Sequence, residues 1–242
     1  MTFSLSRRLA AEFLATAFLV AAVWGSGIMG ERLAGSNASL CLLENTIATG
    51  AALVALILAF GPVSGAHLNP AVTLAGGLSG AMPWQVVPQY ILAQVLGGIA
   101  GVAVTHMMFG LPAFAVSQHV RSGPAQFLSE CVATFGLLAV IEVCSRVRPE
   151  GVPYAVGAYI TAAYWFSAST AFANPAVTIA RSLSNTFAGI RPPDVPMFVT
   201  AQLLGGLAAA LFIRWLAPGP KRRGGSPSPL ATLHGMGEVE AP

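Results

Sequence analysis

Long apolar runs separated by short polar breaks set the first expectation. Runs over about residues 9–29, 44–61, 85–109, 126–145, 153–171 and 195–216 each approach the ~20 residues that a helix needs to cross a bilayer. Between the second and third runs, and again between the fifth and sixth, lies an apolar stretch far too short to cross. The pattern predicts six spanning helices and two short ones, over about 69–78 and 174–183.

The short stretches open on the same phrase. Asn69-Pro70-Ala71-Val72-Thr73-Leu74-Ala75 returns as Asn174-Pro175-Ala176-Val177-Thr178-Ile179-Ala180. Asn is a strong helix N-cap, accepting from backbone N–H groups in the first turn. Pro suits the first helical position, where its missing N–H costs nothing. Each phrase therefore starts a short helix, and capping leaves the Asn NH2 free to donate outward. The repetition is wider than the phrase. Leu9-Ala10-Ala11-Glu12-Phe13-Leu14-Ala15-Thr16 parallels Phe127-Leu128-Ser129-Glu130-Cys131-Val132-Ala133-Thr134, and Gln94-Val95-Leu96-Gly97-Gly98 parallels Gln202-Leu203-Leu204-Gly205-Gly206. An internal duplication with an odd number of spans per copy must enter the membrane from opposite faces, as an inverted 3+3 repeat.

Inversion sends one short helix in from each side. Irregular backbone at membrane depth survives only where protein buries it or water lines it, so the two Asn-Pro-Ala turns are expected to meet near the midplane. Their N-termini each carry about half a positive charge. Such a centre disfavours protons and metal ions and accommodates neutral polar molecules.

Composition sharpens the class. Hydrophobic residues make up 55% of the 242 and charged residues only 9%, against about 25% charged in soluble domains. The chain is an all-α membrane protein, and the net charge of +3 is topological, with no nucleic acid implied. Arg7, Arg8, Arg146, Arg148, Arg214, Lys221, Arg222 and Arg223 fall on one side, and Arg32, Arg121, Arg181 and Arg191 on the other. The positive-inside bias puts both termini in the cytoplasm. The parts are then a cytoplasmic N-terminus (1–8), a first repeat (9–109), an extracytoplasmic connection (110–125), a second repeat (126–216) and a disordered cytoplasmic tail (217–242). Glu12 and the absence of a small-x-small site argue that the first run is a retained span. Cys41, Cys131 and Cys144 imply no disulfide framework. No cofactor or metal site is suggested.

With these residues together, the chain resembles the aquaporin family of water and small-solute channels over residues 8–216, by its paired Asn-Pro-Ala phrases, Glu12 and Glu130, and Ser64-Gly65-Ala66-His67. The resemblance implies a homotetramer in the cell (inner) membrane, each subunit with its own pore centred on Asn69, Pro70, Ala71, Asn174, Pro175 and Ala176. It also implies a constriction outside that centre. By the family spacing its positions fall at Thr49, Ala162, Ala171 and Val177, where an Arg usually stands in place of Val177. A ring this small and apolar suggests a wide filter that passes glycerol-like solutes and metalloid hydroxides such as arsenous acid, with some water. The Arg-less pattern resembles bacterial channels associated with arsenic resistance.

Other residues have two readings each. Arg181, one turn beyond Val177, either guards the outer vestibule or caps the short helix. His67 either lines the inner pore or is simply hydrogen-bonded. Glu12, Glu130, Gln94 and Gln202 are expected to hold the loops, with proton relay as the alternative. Gly97/Gly101 and Gly205/Ala209 are small-residue pairs expected to pack the two halves together. Tyr164, Trp165 and Phe166 form an interfacial belt or brace the second loop. The rival functions are a water-selective channel, an ion-coupled transporter, a structural membrane protein without transport, and an intramembrane hydrolase built on Ser64 and His67.

Overall fold

The computed structural model describes residues 3–216, so the tail over 217–242, with Lys221, Arg222 and Arg223, lies outside the described residues. Eight α-helices follow in order: α1 (Leu5–Ala34), α2 (Ala38–Ser64), α3 (Pro70–Ser79), α4 (Val87–Met108), α5 (Pro124–Val147), α6 (Val152–Phe166), α7 (Pro175–Arg181) and α8 (Val195–Leu216). By length and composition α1, α2, α4, α5 and the segment Pro192–Leu216 can each cross a membrane.

The fifth predicted run behaves differently. It was expected over 153–171, but α6 has 15 residues and stops at Phe166. Ser167 turns extended, with φ −108° and ψ 139°, and its hydroxyl donates back to the Ala163 carbonyl. A 3₁₀ turn over Pro149–Gly151 precedes α6. The chain from Ser167 to Ala173 belongs to the re-entrant loop.

The two repeats match in detail. α1 packs on α4 and α5 on α8, while α2 crosses α6. The diglycines divide the work. A Cβ on Gly97 would collide with the Phe13 carbonyl on α1, and one on Gly205 with the Cys131 carbonyl on α5. These contacts lie inside each half, which corrects the expectation that they join the halves. The neighbouring glycines do the joining. A Cβ on Gly98 would sit 3.3 Å from the Ala180 Cβ, and one on Gly206 3.8 Å from the Ala71 Cβ. α2 and α6 meet at Gly50 and Gly157, where a Cβ on Gly157 would come 2.8 Å from the Gly50 carbonyl. Without a hydrophobic drive inside lipid, such close backbone approach is what holds helices together. Replacing Gly97 by Val should force α4 off α1. The expected cost is about 1–3 kcal/mol of overpacking, read as a lower thermal midpoint of the detergent-solubilised protein.

Candidate functional site: a cavity between two crossed half-helices

Two short helices point their N-termini at each other. The Asn69 side-chain oxygen accepts from the Ala71 N–H (2.9 Å), and that of Asn174 from Ala176 and Val177 (3.0 and 3.3 Å). The side-chain amides are not free, contrary to the sequence expectation. Asn69 Nδ2 donates to the Ala173 carbonyl and Asn174 Nδ2 to the Leu68 carbonyl, both at 2.7 Å. One N–H of each amide thus ties one half of the duplication to the other, and the second N–H of each remains a donor.

The carbonyls that receive these bonds are presented by strained backbone. Ala66 and Leu68 have φ of 45° and 50°; Thr170, Ala171 and Ala173 have 60°, 46° and 47°. Each non-glycine residue in this region costs about 1–3 kcal/mol and persists only where its surroundings over-determine it. Two buried carboxylates do so. Glu12 accepts from the His67 and Leu68 N–H groups (2.9 and 2.8 Å), the Ser64 hydroxyl (2.7 Å) and Gln94 Nε2 (2.8 Å). Glu130 accepts from the Phe172 and Ala173 N–H groups (both 2.9 Å) and Gln202 Nε2 (2.6 Å). Gln94 also donates to Thr73 and Gln202 to Thr178 (2.9 and 2.7 Å). Ser64 and Ser169 complete the pattern, each accepting from the N–H two residues on. Ser169 went unnoticed in the sequence, although both serines stand five residues before their Asn.

A cavity of about 330 Å³ runs past Asn69 and Asn174. Its walls are mainly aliphatic, with Leu19, Val23, Leu53, Leu137, Val156 and Ile160 among them. At one end lie Ser79, Glu142 and Ser145, with His67 between them and the centre; towards the other lie Thr49, Tyr164, Ala171, Val177 and Arg181. The His67 ring faces Thr73, with Nδ1 3.1 Å from its Oγ1. The Ser64 hydroxyl bonds Glu12 instead of His67, which removes the Ser–His pair on which a hydrolase would depend.

Ala162 does not line the cavity. It lies exposed on α6, away from the cavity. The family spacing selects Ala162, but α6 ends at Phe166 and turns Tyr164, two residues on, towards the cavity instead. Tyr164 is buried, and Trp165 and Phe166 face outward at 50% and 56% exposure. The aromatic trio therefore splits between the cavity and the outer surface.

Arg181 is buried at 2% exposure and lines the cavity. The carbonyls of Ile179 and Ala180 are taken by Ser182 and Leu183, so the guanidinium is not their cap. Its Nη1 donates to the Ala188 carbonyl at 3.0 Å and its Nη2 reaches the Tyr164 hydroxyl at 3.4 Å. Its central carbon lies 3.6 Å from the Phe172 ring centre and 5.5 Å from that of Trp24. The chain between α4 and α5 folds over this region. Ala115 and Ser117 donate to the carbonyls of Leu183 and Ser182, and Arg121 donates from Nε to the Gly189 carbonyl at 2.8 Å. The Arg121 N–H donates to Asp194, which Arg191 grips with two contacts of 2.8 and 3.1 Å. Burial, and then the charge of Arg181, push the Arg121 guanidinium down to about 10, so it stays protonated at neutral pH.

The Major intrinsic protein family profile matches residues 1–163 and again 146–238. The chain belongs to the major intrinsic protein family. It is 57% identical over 214 residues to aquaglyceroporin AqpS of Rhizobium meliloti strain 1021, covering 88% of this chain and 91% of that one. It is 35% identical to aquaporin NIP1-4 of Oryza sativa subsp. japonica, covering 87% and 77%. Among solved structures, the aquaglyceroporin from Plasmodium falciparum superposes with a TM-score of 0.70 at 21% identity, covering 87% and 96% of the two chains, which establishes a shared fold. With its several apolar helices, this major intrinsic protein is a multi-pass membrane protein.

Proposed function

We propose that the chain is a passive channel for small neutral solutes, with glycerol-like polyols and metalloid hydroxides such as arsenous acid among them, and with some water passing as well. The observation that carries this reading is the cavity itself. It passes both Asn side chains, its wall is largely aliphatic, and Val177 and Ala171 stand small and apolar beside Thr49 and Tyr164. A largely aliphatic wall broken by a few polar groups suits a compact, uncharged molecule that carries hydroxyls. A relative 57% identical carries the name aquaglyceroporin, which supports solutes larger than water. Pore-lining roles are assigned to Thr49, Tyr164, Ala171 and Val177 towards the outer side, and to His67 towards the inner side. The channel works as a homotetramer with one pore per subunit, in the bacterial inner membrane, with the N-terminus and the tail in the cytoplasm.

An ion-coupled transporter is less well supported. It needs an ionisable group that meets the solute path, and the carboxylates of Glu12 and Glu130 are engaged by backbone and amide donors and do not line the cavity. The test is flux into proteoliposomes. Glycerol and arsenous acid should both enter faster than into empty vesicles, without saturation or a proton gradient. Entry of water alone would make the pore water-selective.

A further inference from the structure

We infer that Arg181 is the charge that bars cations from this pore, so that the size filter at Val177 and the charge filter are separate residues one helical turn apart. The inference rests on the channel reading above. Its starting point is a buried guanidinium on the cavity wall with an incomplete hydrogen-bond set: among the described residues Arg181 Nε has no partner.

Hydrogen bonds hold the group in place without an acid to neutralise it. The Thr49 hydroxyl donates its one proton to the Asn45 carbonyl at 2.8 Å. Its 3.2 Å contact with Tyr164 must therefore be a donation from the tyrosine. The tyrosine oxygen in turn accepts from Arg181. The chain of donors runs in one direction, away from the guanidinium, and places no acceptor-rich group against it. The Phe172 face at 3.6 Å supplies the remaining attraction without cancelling the charge.

The surrounding charges leave the cation uncompensated towards the cavity. Arg121 lies over the same Phe172 ring at 5.0 Å and adds a second positive charge behind it. Glu130 is the neighbouring carboxylate, but it is bonded to Phe172, Ala173 and Gln202 and does not line the cavity. Glu142, which does line it, sits at the far end beside Arg146 at 3.2 Å. An entering cation therefore meets Arg181 before it reaches Asn174. Val177 adds no bulk between them.

Urea and guanidinium ion are nearly the same size and shape and differ in charge, so their relative uptake isolates this effect. Proteoliposomes holding the native chain should take up urea and exclude guanidinium. In Arg181→Leu the guanidinium-to-urea ratio should rise about tenfold, the change that a barrier lower by about 1.4 kcal/mol produces. Arg181→Lys, which keeps the charge but not the planar fork, should hold the ratio within about twofold of native. Arg181→Gln, neutral yet still able to donate to Ala188, should behave like the leucine variant and serves if that variant does not reconstitute. A native ratio in both neutral variants overturns the inference. Uptake of neither urea nor water by native vesicles above empty ones would overturn the channel reading itself.

Discussion

Replacing Glu130 by leucine should cost more than about 3 kcal/mol and leave little folded protein. Three buried donors, the N–H groups of Phe172 and Ala173 and the Gln202 amide, would lose their acceptor, and each orphaned donor costs about 1–3 kcal/mol. The loss goes beyond the bonds. Thr170, Ala171 and Ala173 sit at positive φ, and the carboxylate is what holds them there. Once released, the loop can relax towards ordinary dihedrals, which turns the Ala173 carbonyl away from Asn69. Glu130→Gln keeps one acceptor oxygen and should lose less. The measurement is size-exclusion behaviour and thermal unfolding in detergent for both variants. Equal stability of Glu130→Leu and the native chain would show that the loop does not depend on the carboxylate. Glu12→Leu should fail in the same way, since Glu12 holds His67, Leu68, Ser64 and Gln94.

Val177→Arg should shut out the larger solutes. Val177 is buried at 5% exposure against the cavity, so a guanidinium there must extend into the lumen. It would also lie four residues from Arg181 on the same face of α7, where like charges repel. The pair cannot both approach the Tyr164 hydroxyl, and the added group has no carboxylate on the cavity wall near it. Glycerol and arsenous acid flux should each fall about tenfold or more, as for an added barrier of about 1.4 kcal/mol, with water much less affected. Light-scattering flux of the three solutes in proteoliposomes reads this directly. Unchanged glycerol flux in Val177→Arg would remove Val177 from the size filter.

The architecture was legible because its signals are local. Asn before Pro marks a helix start, and a polar break marks the end of a span. The duplication could be read from Glu12 and Glu130 as well as from the two phrases. Positions fixed by long-range geometry were less accessible. Family spacing points to Ala162, and only the path of α6, which ends at Phe166, shows that Tyr164 faces inward. The Asn amides were expected to be free because nothing local shows that Leu68 and Ala173 turn their carbonyls across the midplane. Phe172 reads as an ordinary apolar loop residue until Arg181 and Arg121 are seen over its ring. The pair Gly97/Gly101 reads as a seam between the halves, yet Gly97 faces Phe13 within its own repeat, and it is Gly98 beside it that faces Ala180 of the other.

The crossed bonds from Asn69 to Ala173 and from Asn174 to Leu68 also bear on how the sequence can change with time. Each half of the gene supplies the donor that completes the other half's loop, so the two segments cannot drift independently. A substitution at Asn69 is felt first at residue 173, more than a hundred positions away, and the reverse holds for Asn174 and residue 68. One repeat expressed alone would lack the acceptor for its own asparagine, and only a second copy, inverted against it, could provide one. Reciprocal dependence of this kind keeps two ancestral copies similar at Asn-Pro-Ala while the helices around them diverge.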